Sequence, residues 1–221
     1  MSDDYDWDAL AAHWELFEQA GSGDEDIDVI ADAGAAAPAL VVGAGIGTYA
    51  ARLAARIGGP VTAVDRSAAM LARAAERHPE LRLGRADARA LPFNGASFAT
   101  VYCATGVAEM LLDLAGALRE FVRVASGPVF LSVIPPPQVR IDRHALVARA
   151  LAGEIHDPLV AALAARAGSM AAAAALLLRA MPRFAVGVPE RAVIDAGLAT
   201  GRSIRRLYRS SAHDSVLWQL V

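Results

Sequence analysis

The chain has 221 residues, 55% of them hydrophobic and 20% charged, which suits one domain with a sizeable core and argues against extended disorder. A net charge of −3 and an isoelectric point near 5.9 offer no electrostatic footprint for nucleic acid, and the basic stretch Arg140–Arg149 lacks the flanking aromatics of a stacking platform. A single cysteine, Cys103, excludes an internal disulfide and any zinc site built on several thiolates.

The N-terminus reads MSDDYDWD, acidic where a secretory signal would be basic. The first 34 residues read as two helices. Asp6–Gln19 carries Leu10, Trp14 and Phe17 at helical spacing, and Asp24–Ala33 follows the Gly21-Ser22-Gly23 break. The period then changes. Short apolar strands at Ala39–Val42, Val61–Val64, Leu81–Arg85, Phe98–Cys103 and Val129–Ile134 alternate with helices at Tyr49–Ile57, Ala68–Arg77 (capped by Ser67) and Leu112–Ala125. That alternation argues for a parallel sheet covered on both faces. After Pro135-Pro136-Pro137, residues 139–185 are rich in alanine and leucine, with breaks near Gly153, Pro158 and Gly168. They read as a helical insertion over the active-site edge of a single domain spanning residues 1–221. The apolar run Ala167–Leu178 is too short for a membrane span and reads as a buried helix, so a cytoplasmic protein is expected. Pro189–Ala196 is a last short helix. Ser203–Tyr208 and Ser215–Leu220, joined by a turn at His213-Asp214, should pair antiparallel.

A glycine-rich turn between a buried strand and a helix lets the backbone approach a ligand and aims N–H groups at it. Gly43, Gly45 and Gly47 hold that position, and Asp65 ends the next strand, where a carboxylate accepts hydrogen bonds from ribose hydroxyls. The dinucleotide fingerprint calls for glycine at the first, third and sixth positions. Thr48 holds the sixth, so an NAD-dependent reductase would have to seat a pyrophosphate despite that side chain. Asp87 ends the third strand in LRLGRADARALPFNGASF, within reach of the amine of an adenine whose ribose Asp65 holds.

Taken in order, these segments resemble the class I S-adenosylmethionine-dependent methyltransferases, in particular their small-molecule branch. VVGAGIG resembles the first motif, VTAVDRSAAML the ribose segment, RADARALPFNGASFATV the adenine segment, and LREFVRVASGPVFLSV the helix and fifth strand that follow. The likeness covers residues 39–134, and the two late strands match the family's reversed terminal hairpin. It implies an α/β fold with a doubly wound, Rossmann-like seven-stranded sheet, mostly parallel with a reversed C-terminal strand, and S-adenosylmethionine as cofactor. By the same resemblance Gly43, Ala44 and Gly45 line the methionyl part and Asp65 holds the ribose. Arg66 and Met70 pack near the adenine, Asp87 and Ala88 bind its edge, and Cys103 with Ala104 faces the methyl group. Two positions depart from the pattern: Val41 stands where an acid is usual, and Ala99 where aspartate follows Phe98. The first removes a carboxylate that helps orient the turn and the cofactor's ammonium, so an acid restored at position 41 is expected to strengthen binding. It also leaves open a non-methylating or binding-only role.

The apolar insertion suggests a small hydrophobic methyl acceptor, with Arg140 and His144 among the few polar groups to orient it. His144 and His156 read otherwise as surface or helix-end histidines, and Glu109 as an ordinary acid after the fourth strand. Cys103 reads as a small buried hydrophobe rather than a nucleophile. His13 and Trp14 read as an amphipathic face packing on the sheet or, by the resemblance, as cover for the methionyl end. Ala171–Leu178 suits a core or a homodimer surface. No HExxH, CxxC, P-loop or GxSxG pattern occurs, so no metal is expected, and no catalytic base stands out. The expected partner is a small molecule, with neither nucleic acid nor membrane.

Overall fold

A computed structural model of the chain describes residues 6–20, 24–111, 113–136, 148, 151–152, 158–180, 187–210 and 215–221. Five parallel strands, β1 (Ala39–Val42), β2 (Val61–Asp65), β3 (Arg82–Arg85), β4 (Thr100–Cys103) and β5 (Val129–Val133), join β6 (Ile204–Arg209) and β7 (Val216–Leu220) in one sheet. Its order is β3-β2-β1-β4-β5-β7-β6. β7 runs antiparallel to both β5 and β6, as the late pair of apolar runs requires. β1, β4, β5 and β7 are buried along their whole length, which is why they read as unbroken apolar runs instead of alternating ones.

The N-terminal segment forms α1 (Trp7–Leu10), a 3-10 turn, α2 (Trp14–Ala20) and α3 (Asp24–Asp32). Helices α4 (Thr48–Ile57), α5 (Ala68–Arg77) and α6 (Leu114–Val124) are the crossovers between parallel strands. Ser67 caps α5 as its position implies, its hydroxyl accepting the Met70 N–H at 3.0 Å. Asp113 caps α6 by accepting the Gly116 N–H at 2.7 Å. One sheet face packs Ile27 and Ile30 of α3 and Leu53 of α4 on Val41, Tyr102 and Phe130. The other packs Leu118 and Phe121 of α6 on Leu40, Val101 and Leu131. β4 begins two residues later than its apolar pattern suggests, because Phe98 pairs in a lone parallel bridge with Ala125 before the ladder with β1 starts at Thr100.

In the 139–185 region, α7 (Pro158–Ala167) and α8 (Met170–Ala180) pack on each other and on the N-terminal helices α2 and α1. The run Ala167–Leu178 is therefore the last residue of α7, a turn and most of α8 instead of one helix. Gly168 stands at φ 87°, and the Ser169 hydroxyl restarts the chain by accepting the Ala172 N–H at 3.1 Å. No described helix is long and apolar enough to cross a membrane. α9 (Glu190–Leu198) leads into β6. Arg140, His144, His156 and the His213-Asp214 turn lie outside the described residues.

Candidate functional site

A cleft enclosing about 900 Å³, part of it open to solvent, lies at the carboxyl ends of β1, β2 and β4. Chain order reverses between β1 and β4, so this is the switch point where open α/β sheets bind ligands. The glycine turn forms its floor. Asp65, Arg66 and Met70 flank it on the β2 side, with Asp87, Ala88 and Arg89 beyond them, and Thr105, Gly106 and Val107 follow β4 on the other side. Trp7, Trp14 and Glu18 of the N-terminal helices roof it.

The turn's geometry bears directly on what it can hold. Gly43, Gly45 and Gly47 all have positive φ, at 75°, 53° and 90°. A Cβ on Gly43 would stand 1.9 Å from Val107 Cγ2, so glycine is needed there for space as well as conformation. Gly47 performs the close packing that a dinucleotide turn assigns to its sixth residue, since a Cβ on it would meet Ala74 Cβ at 3.2 Å and Leu81 Cδ1 at 3.3 Å. Four of its N–H groups are already engaged within the protein. Those of Gly43 and Ala44 donate to Val64 O at 2.9 and 3.0 Å, and that of Gly47 donates to Ala44 O at 2.9 Å. Gly45 N–H donates to Asp65 Oδ2 at 2.9 Å. A pyrophosphate would find these donors spent and two carboxylates, Asp65 and Glu18, in the cleft wall. This weighs against the dinucleotide alternative.

Asp65 also accepts the Ser67 N–H on Oδ1 at 2.9 Å, so it clamps the glycine turn to the start of α5. The Arg66 backbone amide also favours its charge, and of a carboxylate's roughly four lone-pair sites this still leaves one for a ligand. Burial pushes its carboxyl upward, against the amides of Ser67 and Gly45 that favour the charge. Asp87 is held in a fork by Arg89, with Nε on Oδ1 at 2.9 Å and Nη2 on Oδ2 at 2.6 Å, which lowers its carboxyl. Burial raises Glu18, opposed first by the Thr48 hydroxyl, which donates to Glu18 Oε2 at 2.6 Å, and also by the Trp14 side chain. Thr48, the residue that breaks the dinucleotide pattern, thus anchors an acid of the N-terminal helix over the turn.

Gly43, Ala44, Gly45, Asp65, Arg66, Met70, Asp87 and Ala88 all line the cleft. Cys103 does not. It is 0% exposed and packs in the core with Val42, Leu118 and Leu131; burial, then the nearby Glu109 charge, pushes its thiol well up. Its side chain follows the strand alternation into the α6 face, and the cleft wall after β4 begins at Thr105. Of the two N-terminal candidates, Trp14 joins the roof, edge-on to Trp7 at 5.5 Å, whereas His13 lies outside the lining. No described residue of 139–185 lines the cleft; the N-terminal helices cover it, and α7 and α8 lie behind them.

Sequence reasoning left out a buried hydroxyl chain. Ser132 Oγ of β5 donates to Asp26 Oδ2 of α3 at 2.7 Å, and Thr105 Oγ1 at the cleft lies 2.7 Å from Ser132 Oγ. These residues are far apart in the chain and match no motif. The N-terminal roof residues Trp7 and Glu18 escaped for the same reason.

Residues 39–126 match the family model described as "Methyltransferase domain". Over that segment, less than half of its length, the chain is similar to methyltransferase domains. No curated protein matches the chain. Among solved structures, magnesium protoporphyrin IX methyltransferase from Synechocystis PCC 6803 with bound SAH aligns at a TM-score of 0.59 and 14% identity, covering 95% of this chain and 94% of that one. A chain from the complex between the Haloferax volcanii Trm112 methyltransferase activator and a methyltransferase aligns at 0.60 and 13% identity, over 98% and 97%. A Rhodobacter sphaeroides protein described as a Zn-dependent alcohol dehydrogenase aligns at 0.62 and 16% identity, over 96% and 97%. At such identities these likenesses establish the fold alone. Among the described residues, no three His, Cys, Asp or Glu side chains gather as metal ligands.

Proposed function

We propose that the chain is an S-adenosylmethionine-dependent methyltransferase that binds its cofactor in the cleft and transfers the methyl group to a small, hydrophobic acceptor. The observation that carries the reading is the clamp at the strand switch point: Asp65 ties the glycine turn to α5 while still facing the cleft. Its remaining lone pair suits a ribose hydroxyl, and a turn in which the amides of Gly43, Ala44, Gly45 and Gly47 are already engaged suits a ligand that brings no phosphate. Gly43, Ala44 and Gly45 would run along the methionyl part. Arg66 and Met70 would pack on the adenine, with Ala88 and Asp87 at its edge, Asp87 oriented by Arg89.

When bound, the cofactor supplies an electrophilic sulfonium methyl. The chain's residues position and exclude. Trp7 and Trp14 shut water from the roof, and Val107, Met110 and Leu111 give the β4 side an apolar wall. That wall is what favours a hydrophobic acceptor over a sugar or nucleotide. Arg140 and His144 are proposed to orient it. Calorimetric titration with S-adenosylhomocysteine, followed by methyl transfer from labelled cofactor to a panel of hydrophobic phenols, amines and carboxylic acids, tests the reading. Efficient methylation of RNA or protein in place of every small acceptor would overturn the acceptor class.

A further inference from the structure

Ile134, the residue after β5, is gripped from two sides. Its N–H donates to Glu109 Oε1, and its carbonyl accepts the Val188 N–H at 2.8 Å. Between Ile134 and Val188 the chain leaves the sheet and comes back, so Ile134–Pro136 and Gly187–Val188 form a neck. The two passes touch backbone to backbone. A Cβ on Gly187, at φ 58°, would stand 2.5 Å from Pro135 C and O and from Pro136 N, so glycine is needed there. Glu109 itself belongs to the 3-10 turn Ala108–Met110. Val107, Met110 and Leu111 around it form the apolar wall of the cleft. The Met110 and Leu111 N–H groups close that turn on Val107 O at 3.1 Å and Ala108 O at 3.2 Å. One carboxylate thus ties the cleft wall to the neck.

The tie holds an uncompensated group. Glu109 Oε2 is buried with no partner among the described residues. The turn, β5 and the neck carry no ionisable side chain, and the thiol that faces it, Cys103 of β4, is buried and brings no positive charge. Burial accordingly lifts the Glu109 carboxyl to about 7. Protonated, Glu109 is at ease in this place. Ionised, it gains by reaching water, and withdrawing it breaks its bond to Ile134. We propose that Glu109 is a proton-operated latch: its ionisation frees the neck at Ile134 and, with it, the Val107–Leu111 wall of the cleft. Linkage fixes the direction. The closed latch keeps its proton up to about pH 7, and the open one, like the unfolded chain, only to 4.5. Opening therefore grows by about tenfold per pH unit between those limits and levels off above them.

Amide hydrogen exchange on the full chain, corrected for intrinsic rates, reads the latch without any ligand. In the parent, the amides of Met110, Leu111, Ile134 and Val188 should lose protection together, by about tenfold per unit from about pH 5 to about pH 6.5. They should also stay less protected than Leu40 and Val42 of β1, which marks a local opening. Glu109→Gln cannot ionise and should keep its protection constant over the same range. Gly187→Ala forces the neck apart and should lower protection at Met110 and Leu111 at every pH. If Glu109→Gln does not fold, the parent profile and Gly187→Ala still decide. Parent amides indifferent to pH, or a Glu109→Gln profile as steep as the parent's, would overturn the latch. So would neck and wall amides that exchange only as slowly as those of β1, or a Gly187→Ala effect that stops at Val188.

Discussion

At the scale of single residues, the carboxylates of this protein divide by what holds them. Asp65 is bound by the backbone amides of Gly45, Ser67 and Arg66, so replacing it is expected to harm both ligand and fold. In Asp65→Asn one amide hydrogen must face either the Gly45 or the Ser67 N–H. That mismatch should cost about 1–3 kcal/mol of stability in urea denaturation, alongside weaker binding of S-adenosylhomocysteine. Full stability in the variant would show that the clamp is dispensable.

Glu109 supplies a pH signature. Burial pushes its carboxyl from 4.5 to about 7, although Oε1 accepts the Ile134 N–H, and Oε2 is buried with no partner among the described residues. The folded state thus holds this proton more tightly than the unfolded chain. Its contribution is full below pH 4.5 and is lost as pH rises through about 7. Relative to Glu109→Gln, the parent should lose about 3 kcal/mol between pH 4 and pH 8. Denaturation curves that shift in parallel for both proteins would contradict this.

At the scale of elements, much was legible because strand runs, glycines and caps are local. The alternation from Ala39 to Ile134 gives the sheet, Ser67 its helix start, and the late apolar pair its reversed hairpin. What was not legible is where side chains point and where backbone protons go. Cys103 ends a strand at the cleft, but alternation turns it into the core. The glycine turn looks like an anion cradle, and only the paired geometry with Val64 and Asp65 shows its donors to be spent. Val41 follows the same rule. It is 0% exposed among Ile30, Leu53, Tyr102 and Phe130, while its neighbour Val42 lines the cleft. An acid at position 41 therefore stands in an apolar cluster, contrary to the gain expected from sequence. Val41→Asp should lower stability by about 3 kcal/mol or more and bind cofactor no better, as thermal melts and calorimetry would show. A stable variant of raised affinity would restore the original expectation.

At the scale of the whole molecule, the sheet carries the glycine-turn half of the cleft and the N-terminal helices cover it. α1 and α2 form the roof, and α7 and α8 pack behind them, so the 139–185 region braces the cover through its described helices. Two of the three tryptophans, Trp7 and Trp14, face the cleft, and Trp218 sits in the core at 4% exposure. Cofactor binding should therefore change tryptophan emission, and Trp14→Phe should remove most of that change while Trp218→Phe keeps it. A signal that survives in Trp14→Phe would show that the roof does not meet the ligand.

The central claim is that the Asp65-clamped turn holds an S-adenosyl ligand and not a dinucleotide. Calorimetric titration of the full chain with S-adenosylhomocysteine and, in parallel, with NADH and NAD⁺ tests it most directly. Saturable one-to-one binding of S-adenosylhomocysteine, with no heat of binding from either dinucleotide, is the predicted result. Binding of a nicotinamide dinucleotide in its place, with S-adenosylhomocysteine inert, would contradict it.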